Sequence, residues 1–187
     1  MAFIVIYDAC VLYPAPLRDL LIRVANAAIV QARWSERILD ECFTSIARQR
    51  PDLPTGALDR TRALMNDAVP DCLVTGFEPL EEALKLPDPD DRHVLAAAIQ
   101  ANAQVIVTFN LGDFPADALA PYDIEAKHPD GFLLDSLDIA PGAMVRCLTE
   151  QAAVLRNPPR TVAEVLETLR EQGLVRAVAR FRELLGG

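Results

Sequence analysis

Three observations predict an α/β fold with a mostly parallel central sheet. Phe3 to Tyr7 and Gln104 to Thr108 are short runs of β-branched and aromatic residues, the mark of buried strands. Each is followed closely by polar residues: Asp8 after the first; Asn110, Gly112 and Asp113 after the second. Stretches of helical period lie between and after them, and strands alternating with helices imply a sheet covered by helices.

The helices follow in order. Leu17 to Ala28 starts behind Pro16, a favourable first helical residue. Ser35 to Arg48 places Ile38, Leu39, Cys42, Phe43 and Ile46 on one face, and Asp91 to Asn102 does the same with Val94, Leu95, Ala98 and Ile99. From residue 139 onward the strand signal disappears and three helical stripes take over: Met144, Cys147, Leu148 and Leu155; Val162, Val165, Leu166 and Leu169; Leu174, Val175, Val178, Phe181 and Leu185. Asn157-Pro158-Pro159 separates the first stripe from the second, Thr161 can cap the second, and Gly173 stands where a left-handed cap belongs. The chain therefore divides into an α/β domain, residues 1–138, and a helical C-terminal extension, residues 139–187, expected to pack back on the core.

Composition narrows the classes. At 187 residues the chain is the length of one domain with a small appendage. Apolar residues make up 51% and charged residues 24%, ordinary globular usage that excludes disorder and low complexity. The longest apolar runs, Phe3 to Tyr7 and Val94 to Ile99, fall far short of the roughly 18 residues of a membrane span. Residues 1–17 hold Asp8 and no basic residue before Arg18, so a basic leader is missing and a cytoplasmic location is expected. Cys10, Cys42, Cys72 and Cys147 are scattered without CxxC or a histidine at ligand spacing, so reduced, mostly buried thiols are expected.

The net charge of −9 is unevenly placed. Residues 63–142 carry 3 basic and 15 acidic side chains, against 8 and 7 in residues 1–62 and 7 and 5 in residues 143–187. An acidic protein repels phosphate backbone, so a nucleic-acid role would need a local basic surface or a bound cation.

The acids at the edges of apolar elements are the informative ones. Asp8 ends a strand and Asp113 follows another. In Asp88-Pro89-Asp90-Asp91, Asp91 lies three and four residues before Val94 and Leu95, so its carboxylate stacks over the face to be buried. Helix capping, worth about 0.3–1 kcal/mol, accounts for one of these acids, most naturally Asp90. On the helix from Ser35, Asp40 and Glu41 flank the apolar stripe on opposite sides, and periodicity does not choose between them. Brought together at the C-terminal edge of a parallel sheet, two carboxylates about 4 Å apart would repel by roughly 4 kcal/mol. Such a cluster requires protons or cations, and an all-oxygen site suits Mg²⁺ or Mn²⁺. A divalent ion attracts phosphate and supports displacement at phosphorus.

Over roughly residues 3–138 the chain resembles a PIN domain, the ribonuclease fold of VapC-type toxins. The resemblance rests on FIVIYDACVLYPAPLRDLL with Asp8, on WSERILDE with Glu41, and on LPDPDDRHVLAAAIQANAQVIVTFNLGDFP. In the last stretch Asp91 opens a helix and Thr108 to Phe114 is similar to the family's Thr-x-Asn-x-x-Asp-Phe. It implies a three-layer α/β/α fold in which Asp8, Glu41, Asp91 and Asp113 are the catalytic acids and the ligands of Mg²⁺ or Mn²⁺. Thr108 and Asn110 would orient metal-bound groups or phosphate; Asn110 stands where many relatives carry Asp, and Asp90 is the alternative to Asp91. The implied activity is hydrolysis of RNA phosphodiester bonds by the toxin of a type II toxin-antitoxin pair, with a cognate antitoxin and a homodimer. The alternative is a non-catalytic module of the same fold that binds RNA or protein. A HAD-type phosphatase also begins with a strand ending in Asp, but it needs a second Asp where this chain has Cys10.

The remaining residues carry paired readings. His93, two residues past Asp91, should point away from it as a surface or boundary histidine, and His128 has no partner in sequence. Cys10 reads as a small buried hydrophobe rather than a nucleophile. Arg18, Arg23, Arg33, Arg37, Arg48 and Arg50 form either an RNA-facing surface or an ion-paired helix face. Trp34 either stacks on a base or anchors packing.

Overall fold

The computed structural model describes residues 3–186. Four parallel strands, β1 (Ile4–Tyr7), β2 (Gln31–Arg33), β3 (Val105–Val107) and β4 (Glu125–Lys127), form a sheet in the order β2-β1-β3-β4. The two strands expected from the sequence are the central pair, aligned with Ile6 opposite Ile106. The outer strands are Gln-Ala-Arg and Glu-Ala-Lys, and ladder hydrogen bonds to the central pair hold them rather than β-branched packing.

After β1 come α1 (Ala9–Leu12) and α2 (Ala15–Asn26). Pro16 is the second helical residue of α2, whose N-cap is Pro14. Between β2 and β3 lie α3 (Glu36–Gln49), α4 (Ala57–Ala68), α5 (Glu78–Glu81) and α6 (Arg92–Gln100); α7 (Ala116–Leu119) precedes β4. From β1 to β2 the chain steps one way across the sheet, and from β2 to β3 and β4 it steps the other way. Right-handed crossovers in opposite directions put their helices on opposite faces, which gives the three layers. The reversal also opens a crevice between the C-terminal ends of β1 and β3, the place where parallel sheets bind ligands.

Tyr7 fixes the core beneath that crevice. Its ring stacks on Trp34 at 6.4 Å and meets Phe132 edge-on at 5.9 Å, and its hydroxyl donates to the Leu21 carbonyl at 3.3 Å. Trp34 is fully buried and its indole N–H donates to Asn66 Oδ1 at 2.9 Å, so it is a packing anchor and not a base-stacking platform. In α6 every residue from His93 to Ala98 is buried, so the helix is interior on all sides rather than along one stripe.

The last four helices are α8 (Pro129–Ile139), α9 (Pro141–Val154), α10 (Val162–Glu171) and α11 (Val175–Leu185). The three apolar stripes turn inward as expected, apart from Leu155, Val175 and Leu185, which are exposed. Thr161 and Glu164 form a reciprocal capping box on α10, and Gly173 takes the left-handed conformation, φ +93°. His128 is not partnerless: its Nδ1 accepts from the Asp130 amide at 3.2 Å and caps α8, and its ring meets Phe109 edge-on. Among the described residues no helix is long and apolar enough to cross a membrane.

A buried carboxylate joins α8 to the tail. Asp130 accepts from the amides of Arg176 at 3.2 Å and Ala177 at 2.8 Å, capping α11, whose own N-cap residue Leu174 makes no side-chain cap bond. Asp130→Ala should therefore cost about 2 kcal/mol in urea unfolding, with Asp130→Asn retaining part of the stability. An unchanged midpoint for the alanine variant would contradict this capping role.

Candidate active site

Asp8 stands where β1 stops, and its side chain starts the next element. Its Oδ1 accepts from the Ala9 amide at 2.7 Å, which caps α1. Its Oδ2 accepts from the Thr108 hydroxyl at 2.8 Å and the Cys10 thiol at 3.2 Å. The two side-chain donors are themselves aimed by the loop after β3: Asn110 N–H donates to Thr108 Oγ1 at 3.0 Å and Phe109 N–H to Cys10 Sγ at 3.3 Å. The backbone extends the same tie, with Asp8 N–H donating to the Val107 carbonyl at 3.1 Å. A buried carboxylate with three donors is held in one orientation, at the crevice between β1 and β3.

Cys10 thus does more than fill space. Burial, with the Asp8 charge adding to it, pushes its thiol up to about 12, so it is a neutral donor to Asp8 and not a nucleophile.

A cavity of about 350 Å³ opens beside Asp8, and Glu41, Asp91 and Asn110 share its lining with Tyr13 and Ser45. α3 supplies Glu41 because α3 packs on α1, and α6 supplies Asp91 because it packs under β1 and β3. The alternatives left open by the sequence differ in where they stand. Asp40 turns outward to Arg62 at 2.5 Å, leaving Glu41 to face the cavity. Asp88 Oδ1 accepts from the Asp90 amide at 2.9 Å, so Asp88 rather than Asp90 is the capping acid. Asp90 is exposed, and Asp91 makes no cap bond and lines the cavity.

Asp113 does not line this cavity. It is half-buried in the 3-10 turn Leu111–Asp113, near enough for its charge to act on Asp91. Burial, then repulsion from Asp8, Asp113 and Asp88, pushes the Asp91 carboxyl up to about 6 against an opposing effect of His93. Asp8, Asp88 and Asp113 thus act on Asp91 through their charge, while Asp8, Glu41, Asp91 and Asn110 share one cavity.

His93 is fully buried, not at the surface or boundary, because every residue of α6 from His93 to Ala98 is buried. Its Nε2 lies 2.8 Å from Glu41 Oε1, yet the approach is too poorly aligned to count as a hydrogen bond. On its outer side Glu41 has Arg37 Nε at 3.8 Å. Cys10 and His93 are the two site neighbours misread from sequence. The signal for His93 was the run Val94 to Ile99, which has no polar face.

The basic residues are largely committed elsewhere. Arg23 pairs with Asp19 and Glu150, Arg37 with Glu81, and Arg50 with Asp52. Arg18 donates to the carbonyls of Leu12 and Tyr13. The ion-paired reading holds for Arg23, Arg37 and Arg50.

Among the described residues no three His, Cys, Asp or Glu side chains are gathered tightly enough to hold a metal ion as they stand. In kind, however, the donors fit a hard cation. They are carboxylate oxygens, and burial pushes the neighbouring thiols of Cys10 and Cys42 up to about 12 and about 11, which removes soft ligands.

Asp91 gives the fold a pH dependence of known sign. The carboxyl rises from 3.8 to about 6 on folding, so its contribution to stability is full below pH ~4 and is lost as pH rises through about 6. Without divalent ions, Asp91→Asn should raise Tm at pH 7.5 by about 2–4 °C, allowing for solvent screening at this half-exposed site. The gain should vanish near pH 4, and a Tm difference constant from pH 4 to 8 would contradict the clustering.

Comparison with known proteins places these features. A family model described as a PIN domain matches residues 4–112, more than half of the chain, and one described as the VapC50 C-terminal domain matches residues 129–183. A Mycobacterium tuberculosis protein bearing the name "Putative ribonuclease VapC50" is 50% identical over 82 residues, 44% of this chain. The match spans 48% of that relative's length. No solved structure matches. With its parallel sheet, its switch-point acids and this match over β1 to β3, the chain belongs to the PIN domain family.

Proposed function

We propose that the chain is a metal-dependent endoribonuclease, the toxin of a type II toxin-antitoxin pair, with RNA as substrate and an antitoxin protein as partner. The observation that carries this reading is the convergence of Asp8, Glu41, Asp91 and Asn110 on one cavity at the end of β1 and β3, with the Asp113 charge adjoining. The family supports it, as does the name of the relative that shares half of the matched residues. A cytoplasmic, homodimeric toxin belongs to the same reading. The family supports the dimer, and the free state of all four cysteines agrees with a reducing location.

The residues divide the work. Asp8, Glu41 and Asp91 would hold Mg²⁺ or Mn²⁺, with Asp113 adding its charge from the side. The ion, when bound, supplies positive charge for an in-line displacement at phosphorus and lowers the pKa of a water. Asp8 arrives already oriented, so little reorganisation is needed at the moment of reaction. Thr108 acts through Asp8, since its hydroxyl is committed to Oδ2. Asn110 lines the cavity and offers a side-chain amide to a phosphate oxygen. Asp91, pushed up to about 6, carries a proton for part of the time near neutrality and releases it when a cation is taken up.

RNA incubated with the protein and Mn²⁺ tests the proposal. Asp8→Asn should lower cleavage about 100-fold or more, Thr108→Val about 10–100-fold, and EDTA should abolish it. Cleavage that survives both Asp8→Asn and EDTA would overturn the mechanism. Tight RNA binding without cleavage of any RNA would favour the non-catalytic module.

A further inference from the structure

We propose that His93 is a positioning residue that sets the stance of Glu41 at the cavity. The inference deepens the nuclease reading and rests on it for its functional meaning.

His93 is fully buried on α6, followed by the apolar residues Val94 to Ala98, and neither ring nitrogen has an aligned hydrogen bond. Space alone would be filled better by Phe or Leu, because a buried ring nitrogen without a partner is destabilising. Polar nitrogens in this place need an acceptor or donor, and Glu41 Oε1 stands 2.8 Å from Nε2. A bare Nε2 this close to a carboxylate would set two acceptors in contact, so the proton sits on Nε2 and gives Glu41 Oε1 a short contact of opposite polarity, off the N–H axis.

Glu41 therefore stands between two donors of different strength. Arg37 is outside, 44% exposed, 3.8 Å away and already bonded to Glu81 at 2.9 Å. Solvent screens such an exposed pair. His93 is inside and closer, and its ring is wholly desolvated, so its attraction for Glu41 Oε1 is less screened. The inner partner is the closer one, and it holds Glu41, itself 43% exposed, at the rim of the cavity that Asp8 and Asp91 also line. Because Asp91 opens the same helix, the first turn of α6 delivers one acid to the cavity and orients another that comes from α3.

Calorimetry with Mn²⁺ alone, beside thermal melting and imidazole ¹⁵N NMR, tests the assignment. His93→Phe keeps a ring without a donor, and His93→Gln keeps an N–H close to the Nε2 position. His93→Phe should weaken Mn²⁺ binding about 10–100-fold, His93→Gln should recover most of it, and the loss should disappear in a Glu41→Gln background. The NMR readout needs neither metal nor activity: His93 should carry its proton on Nε2, and Glu41→Gln should shift that resonance. Wild-type Mn²⁺ affinity in His93→Phe, or an equal loss with and without Glu41→Gln, would overturn the proposal. If the wild-type protein bound no Mn²⁺, the nuclease reading would fail on its own. An Nε2 resonance unmoved by Glu41→Gln would overturn the His93 assignment, and this arm also decides the matter if His93→Phe does not fold.

Discussion

The Asp8 carboxylate, received by Thr108, Cys10 and the Ala9 amide, is the constraint on which the rest of the site depends. It joins the ends of the two central strands, begins α1 and, through Thr108 and Cys10, folds the loop that carries Phe109 and Asn110. The other acids are located relative to it. α3 packs on α1 and brings Glu41; α6 packs under β1 and β3 and brings Asp91. His128 against Phe109 and Asp130 against α11 connect the same loop to the tail, so the C-terminal helices support the site from below.

Charge gives the cavity its character. Arg37 is bonded to Glu81 and Arg62 to Glu36 and Asp40, and Arg18 donates to the carbonyls of Leu12 and Tyr13. The cavity is left with carboxylates, and burial together with repulsion from Asp8, Asp113 and Asp88 pushes Asp91 up to about 6. A site of this kind draws phosphate only through a cation. Of the acids in residues 63–142, Asp88, Asp91 and Asp113 act at the site, and Asp8 and Glu41 join them from residues 1–62.

What could be read from the sequence follows from how local each signal is. β1 and β3 announce themselves by β-branched runs, whereas Gln31–Arg33 and Glu125–Lys127 become strands only because β1 and β3 offer them a ladder. α4 buries one residue, Met65, and so leaves no stripe to detect. Asp8 and Asp91 were legible because a strand end and a helix start are local features. The choice of Glu41 over Asp40 was not, since Arg62 on α4 makes it from 22 residues away. His93 was not legible as buried, because the tertiary packing that covers α6 from His93 to Ala98 is not a local feature. The hydrogen bonds that give Cys10 its place come from the loop after β3, about a hundred residues distant.

A crystal structure of the protein soaked in Mn²⁺, with anomalous scattering to locate the ion, tests the central claim most directly. The account predicts manganese in the cavity at the ends of β1 and β3, coordinated by Asp8 together with Asp91 or Glu41. An ordered cavity free of manganese at millimolar concentration, or acids dispersed over separate surfaces, would contradict it.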